Sequence, residues 1–199
     1  VYSSINALIN AKTKGISIVS ASDNEEVGSD TKQGAASAFL RNVLMKINSS
    51  LNKTDEEYLE AIQNGFFLSI DNGHGVHPAH SEKSDPYNVS VLNNGIAIKH
   101  HTNYATDGVG GSIIKAICQK EKIPFQDYYN NSDVRSGGTI GVVVSTQLAI
   151  NSCDIGLAQL GMHSAIETVG KFDIDRMERL VQAFFETKIT KIGSSYLLK

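Results

Sequence analysis

Three short runs rich in apolar and β-branched residues each end in a group that binds a divalent metal well. Residues 16 to 22, Ile-Ser-Ile-Val-Ser-Ala-Ser, lead into Asp23-Asn24-Glu25-Glu26-Val27-Gly28. Residues 66 to 70, Phe-Phe-Leu-Ser-Ile, lead into Asp71, and residues 154 to 160 lead through Gly161 and Met162 to His163. Runs of this length and composition read as strands, and open α/β sheets carry their sites beyond the carboxyl ends of their strands. Two carboxylates and an imidazole delivered from separate strand ends form a donor set that Zn²⁺ accepts. An Asp-x-Glu-Glu turn taken alone reads as a solvated acidic loop. The ligand-type groups at 71 and 163 favour a site. Of two adjacent glutamates there, one can hold a metal while its neighbour takes a proton from an activated water.

The segments between these runs read as helices. Residues 2 to 14 place Ile5, Leu8 and Ile9 at helical spacing, and 35 to 51 carry Phe39, Leu40, Val43, Leu44 and Ile47 on one face. Thr54-Asp55-Glu56-Glu57 is a capping box opening a helix through Gln63. Residues 109 to 120, 139 to 150 and 173 to 187 are helix-compatible, 96 to 100 is a further short strand, and 72 to 88 is a polar loop. Ser164-Ala165-Ile166-Glu167 is a second capping-box pattern and predicts a helix directly behind His163. This alternation predicts a single α/β domain over 1–199, a three-layer αβα arrangement around a mainly parallel sheet.

The 199 residues carry a formal charge of −3 with no basic run, which excludes an extended nucleic-acid surface. No stretch approaches the roughly 18 apolar residues of a membrane span. Val1-Tyr2-Ser3-Ser4 lacks the pattern of a signal peptide. Cys118 and Cys153 are far apart in sequence and read as reduced, buried cysteines of a cytoplasmic protein.

The motifs closely resemble those of the aspartyl aminopeptidase family of di-zinc metallopeptidases. The resemblance rests on Asp23-Asn24-Glu25-Glu26-Val27-Gly28-Ser29 with Lys32-Gln33-Gly34-Ala35, on Asp71-x-x-His74-Gly75-Val76-His77-Pro78, and on Asn103-Tyr104-Ala105-Thr106-Asp107. It continues through Ser136-Gly137-Gly138-Thr139-Ile140-Gly141 and Gln159-Leu160-x-Met162-His163-Ser164, in the family's order. The resemblance implies a zinc-peptidase-like fold, peptide substrates with a preference for acidic amino-terminal residues, two Zn²⁺ ions per complete site and a dodecamer-type homo-oligomer. It implies Glu25 as general base, Glu26, Asp71 and His163 as metal ligands, and His74, Lys99, Tyr104, Gly138, Thr139 and Met162 on the substrate side. It also implies that a histidine ligand, a bridging aspartate and an inserted assembly domain precede this segment in the family, so that 1–199 is the carboxyl-terminal part of a catalytic domain. Two departures stand out: the loop continues Ala79-His80, where the family more often has asparagine and an aromatic residue, and the Lys99–Tyr104 spacing is shorter.

The residues leave other roles open. Asp23 suits a turn-orienting hydrogen bond better than metal binding. His74 and His77 sit on a glycine-rich loop, suited to bonding a ligand carboxylate or an oxyanion. Lys99 is either a solvated strand end or, with Arg135, a counter-charge for an acidic substrate. The Ser-Gly-Gly-Thr stretch offers free backbone amides or serves as a plain helix cap. The competing functional readings are an inactive fragment or assembly subunit that keeps the fold, and a related di-zinc deacylase or carboxypeptidase. The intact Glu25 speaks against lost activity.

Overall fold

Four strands form the central sheet of the computed structural model, which describes residues 1–13 and 15–199. In chain order the elements are α1 (Tyr2–Asn10), α2 (Phe39–Ser50), α3 (Asp55–Asn64), β1 (Phe66–Ile70), β2 (Gly73–His74), β3 (Ile96–Lys99), α4 (Gly108–Lys120) and β4 (Phe125–Tyr128). There follow α5 (Ile140–Leu148), β5 (Asn151–Gly156), β6 (Ala158–Leu160), β7 (Thr168–Val169), α6 (Lys171–Glu186), β8 (Ile189–Ile192) and β9 (Ser195–Leu198). The order across the main sheet is β1-β5-β3-β4. Strands β1 and β5 are parallel, as are β3 and β4, but β3 runs against β5 through Ala97↔Gly156 and Ile98↔Ile155. The sheet is therefore mixed, which corrects the mainly parallel expectation. Helices between strands explain the parallel pairing inside each unit; they say nothing about how two such units meet edge to edge.

Side-chain alternation along β5 assigns the faces. Cys153 and Ile155 join Ile96 and Ile98 of β3 in a core completed by Ile113, Ile114 and Ile117 of α4 and Met177, Leu180 and Val181 of α6. Each fully buried Ile or Leu contributes about 1.5–3 kcal/mol by the area it withdraws from water. Asp154 points the other way, against Gly141 of α5, so helices cover both faces. Helix α1 packs on α6 with Ala7 buried, and Asn6 Nδ2 donates to Glu178 Oε2 at 3.2 Å.

Local chemistry accounts for the helix starts. In α3 the Glu57 amide donates to Thr54 Oγ1 (3.2 Å) and the Thr54 amide to Glu57 Oε2 (2.9 Å), a complete capping box. Helix α4 starts on Asp107, whose Oδ1 accepts from the Gly110 amide at 2.6 Å. It tolerates Gly110 because the Ser152 carbonyl lies where a Cβ would stand.

Several expectations are corrected. Residues 16 to 22 form no strand: among the described residues nothing pairs with them, and Ile16 is 68% exposed. A strand needs a neighbour for its amides and carbonyls, and an apolar run does not supply one. Helix α1 ends at Asn10, and position 14, where the expected helix ended, lies outside the described residues. Residues 35 to 38 are turn, with α2 beginning at Phe39. The run 154 to 160 is divided between β5 and β6 at Leu157, so that β6 pairs with β2 in a second, three-stranded sheet with β7. At the division the Asp71 carbonyl occupies the place of a Gly156 Cβ, an approach open only to glycine. No helix follows His163; Glu167 ends a loop that enters β7. Strand β4 and the β8–β9 hairpin were not expected, although Gln126 and Tyr128 alternate inward and Gly193 (φ 60°) supplies the hairpin turn.

Candidate metal centre

The acidic turn is held by local hydrogen bonds. The Asn24 amide donates to Asp23 Oδ1 (2.8 Å), so Asp23 does orient the turn. The Gly28 amide donates to the Asn24 carbonyl (2.8 Å), and Thr31 Oγ1 to the Gly28 carbonyl (3.1 Å). Asn24 takes a left-handed conformation (φ 62°), which asparagine tolerates better than most residues. The turn presents Glu25 and Glu26 toward His163, itself left-handed (φ 64°) on the loop after β6, where the Glu167 carboxylate accepts from its amide at 2.7 Å. Ser164-x-x-Glu167 thus fixes His163 as a loop clamp, not as a helix start.

One potential ligand atom from each of Glu25, Glu26 and His163 lies within 4.8 Å of the others. His163 Nδ1 is 3.0 Å from Glu26 Oε1 and 3.7 Å from Glu25 Oε2. The two carboxyls are driven apart in acidity. Glu25 is raised above the ordinary glutamate value by partial burial, opposed by His163 and assisted by the charges of Glu26 and Asp71. Glu26 is lowered, chiefly by its hydrogen bond with His163, and that same bond raises His163. Exposed, mutually convergent carboxylate and imidazole atoms suit one divalent ion by donor chemistry and spacing.

These three groups line a cleft of about 770 Å³ shared with Asp71, His74, Lys99, Tyr104, Gly138 and Met162. Asp71 leaves the end of β1 with its amide bonded to the Ile155 carbonyl (2.9 Å), but it does not share the trio's 4.8 Å grouping. Thr139 is buried, lies behind the wall and caps α5 without a side-chain bond.

Residues 1–185 match the model of the aminopeptidase I zinc metalloprotease family, M18. The chain belongs to the M18 family. It is 45% identical over 163 residues to a probable M18 family aminopeptidase 2 of Clostridium novyi, covering 81% of this chain and 38% of that protein. Its fold matches aminopeptidase I from Clostridium acetobutylicum with a TM-score of 0.81 at 26% identity, covering 92% of this chain and 41% of that one. The mApe1 dodecamer of S. cerevisiae matches with a TM-score of 0.77 at 28% identity, covering 93% and 43%. The chain thus spans about two fifths of the length of these M18 relatives.

In this M18 chain the wall opposite the acidic turn is built from buried groups. Lys99 is only 3% exposed, so the solvated strand end is not its state. Its Nζ donates to the Asp71 and Asn72 carbonyls (both 3.1 Å), lies 3.5 Å from Asp71 Oδ2 and stands 4.8 Å over the Tyr104 ring. Burial, followed by the charges of Lys99 and His163, lowers His74 and favours its neutral form. The Tyr104 hydroxyl accepts from Asn130 Nδ2 at 3.4 Å and from Ser136 Oγ at 3.1 Å. Asn72 bridges the divided sheet, its Oδ1 accepting from Leu157 N (3.1 Å) and its Nδ2 donating to Gln159 Oε1 (2.5 Å). Sequence reasoning gave no role to Asn72, Asn130 or Gln159; Asn72 carried a signal in its position directly behind Asp71 and Gln159 in the motif that ends at His163, and Asn130 carried none. Cys118 and Cys153 are free and buried, and burial pushes both thiols up to about 12.

Proposed function

We propose that this chain carries part of the catalytic centre of a zinc aminopeptidase that removes amino-terminal residues, acidic ones by preference, from peptides in the cytoplasm. The observation that supports it best is the convergence of Glu25, Glu26 and His163 with the two carboxyls split in acidity. Paired carboxyls whose surroundings push them apart are the arrangement that divides base from ligand. In this reading Glu26 and His163 hold one Zn²⁺ and Asp71 serves a second. The further ligands of a two-zinc site are supplied from outside residues 1–199, consistent with the span of two fifths of the relatives. Bound zinc would polarise the scissile carbonyl and make water a nucleophile near neutral pH.

Glu25 takes the proton of the attacking water and passes it to the departing amine, a task suited to a raised carboxyl. Tyr104, His74 and the Gly138 amide face the reacting carbonyl region. Lys99, with its charge directed toward Asp71, fixes the Asp71 backbone, and Arg135 on the cleft rim is the counter-charge for an acidic side chain. Met162 packs as cleft wall, and Thr139 acts only through the start of α5. The yeast mApe1 dodecamer supports a homo-oligomer of that type. The reduced cysteines fit a reducing compartment, and no helix of the described residues is long and apolar enough to cross a membrane.

The test uses the full-length protein and residues 1–199 alone, each assayed with zinc on amides of Asp, Glu and Leu. The full-length protein is expected to turn over in a chelator-sensitive way, fastest on the acidic amides. Residues 1–199 alone are expected to bind zinc weakly, to be inactive and to self-associate through exposed apolar residues such as Ile16, Phe39 and Leu59. Comparable turnover by 1–199 would show the site to be complete and at least two ligands misassigned. A full-length protein that holds its metal but cleaves nothing would favour the assembly-subunit reading.

A further inference from the structure

A buried carboxylate with no part in the metal trio lies behind the cleft wall. Asp154 is fully buried in the middle of β5 and does not line the cleft. Its side chain projects from the face opposite the main core, into the gap between the loop at 103–106 and the first turn of α5. Asp154 Oδ2 accepts a short hydrogen bond from the Ala105 amide. The Asp154 amide donates to Thr106 Oγ1 at 2.8 Å, so side chain and backbone grip consecutive loop residues. On the other side both carboxylate oxygens press on Gly141, where a Cβ would overlap them. Oδ1 has no hydrogen-bond partner among the described residues.

Burying a carboxylate with one oxygen unsatisfied is costly, and an apolar residue of similar size would fill the space without that penalty. What the carboxylate does here is hold the Ala105 amide through Oδ2 while both its oxygens fill the space against Gly141 in the first turn of α5. Ala105 and Gly141 both belong to cleft-wall segments. Tyr104 immediately precedes Ala105, and Gly138 lies three residues before Gly141. We propose that Asp154 is a positioning residue that pins the Tyr104 loop and the Gly138 turn to the sheet, and so sets the width of the substrate side of the cleft. The pin acts on substrate fit and leaves the trio of Glu25, Glu26 and His163 alone. The term substrate rests on the proposed function; the pin itself does not.

The experiment compares Asp154→Leu, Asp154→Asn and Gly141→Ala in the zinc-loaded full-length protein. Amide hydrogen exchange is read on peptides covering 103–107, 136–142, 23–28 and 160–164. Asp154→Leu is expected to speed exchange at least ~10-fold at 103–107 and 136–142 only, the signature of local opening. It should raise KM by at least ~10-fold with kcat and zinc content within about 3-fold, because wall groups near the substrate are displaced while the metal ligands are not. Asp154→Asn keeps an acceptor for the Ala105 amide and should stay within about 3-fold of wild type in KM. Gly141→Ala pushes the carboxylate from the helix side and should reproduce the KM rise, which keeps the test alive if Asp154→Leu does not fold. In a Tyr104→Ala background, Asp154→Leu should add less than about 2-fold to KM, since residues acting through one another are not additive. Unchanged exchange at 103–107, full additivity with Tyr104→Ala, or zinc lost in step with KM would each overturn the proposal. If the wild type hydrolyses no aminoacyl amide, the proposed function fails, and the exchange pattern still decides whether Asp154 is the pin.

Discussion

The two sides of the cleft are built differently. Glu25 and Glu26 ride a turn whose internal bonds reach no farther than from Asn24 to Thr31, next to an unpaired run whose isoleucines Ile16 and Ile18 are exposed. The opposite wall hangs from the sheet: Lys99 ends β3 fully enclosed, and its ammonium ties down carbonyls 27 and 28 residues away in sequence. Reactive carboxyls on a lightly held turn can lose their chemistry without costing the fold. A wall anchored in the core cannot be altered without affecting both. The contrast predicts where stability and turnover separate.

The largest effect belongs to the core. Ile155→Ala empties a fully buried position between β3, α4 and α6, and should cost about 2–5 kcal/mol, whereas Ile18→Ala on the unpaired run should stay within roughly 0.5 kcal/mol. Urea denaturation of both variants in the full-length protein checks this. Equal losses would mean that the 16–22 run is buried in the full assembly and that the two sides are alike. Next comes the turn. Glu25→Gln should lower kcat at least ~10²-fold, the scale of a positioned general base, with zinc content and Tm nearly unchanged. His163→Ala should instead deplete zinc. If Glu25→Gln lost the metal and His163→Ala kept it, the two roles would be reversed.

A smaller effect tests the wall. Lys99→Met keeps the length of the side chain but removes the donors to the Asp71 and Asn72 carbonyls and the charge over Tyr104. Hydrogen bonds from a charged donor contribute about 1.5–3 kcal/mol. KM should rise about tenfold with a measurable loss of Tm, because one group serves both fold and site. A fall in Tm with KM unchanged would make the wall mere scaffold.

What was legible in the sequence tracks how local its cause is. The Thr54–Glu57 box, the amphipathic α6 and the run ending at Asp71 are written within a few residues, and they fold as read. The ligand-type residues at 25, 26, 71 and 163 could be singled out because each closes an apolar run, and the substrate-side set followed from motif resemblance. All but Thr139 line one cleft. The antiparallel β3–β5 contact was not legible, because register between two βα units depends on edges far apart in sequence. The helix expected behind His163 failed for an instructive reason. The reciprocal bonds of a capping box are not made: Ser164 Oγ donates to the Ile166 carbonyl and the Glu167 carboxylate takes the His163 amide, one residue early, while the chain turns into β7. Asp154 and Asn130 carry no local mark, and Asn72 only its place behind Asp71, since their roles rest on partners far off in sequence: Ala105 for Asp154, Tyr104 for Asn130 and Gln159 for Asn72.

The smallest prediction concerns the outer edge of the wall, where Asp127 of β4 joins Lys115 of α4 (2.7 Å) and His100 (2.9 Å), the His100 ring stacked on Tyr129 at 4.9 Å. Partial burial raises the Asp127 carboxyl, but the hydrogen bonds from Lys115 and His100 outweigh it, and the net position is below the ordinary aspartate value. A depressed carboxyl stabilises the fold above its unfolded-state value, about 3.9. That contribution is lost as pH falls through the lower folded-state value. Asp127→Asn should therefore be less stable than wild type by about 1 kcal/mol or less at pH 7, a modest figure because the pair is a third exposed and screened by solvent. The difference should hold down to about pH 5 and close below about pH 4 as the wild-type carboxyl protonates. Thermal denaturation at pH 7, 5 and 3.5 measures it, with kcat at pH 7 as the companion reading. A gap that widens in acid would reverse the sign and exclude Asp127 as the stabilising anion. A fall in kcat matching that of Glu25→Gln would show that the wall and the turn are one unit, and the contrast between them would be lost.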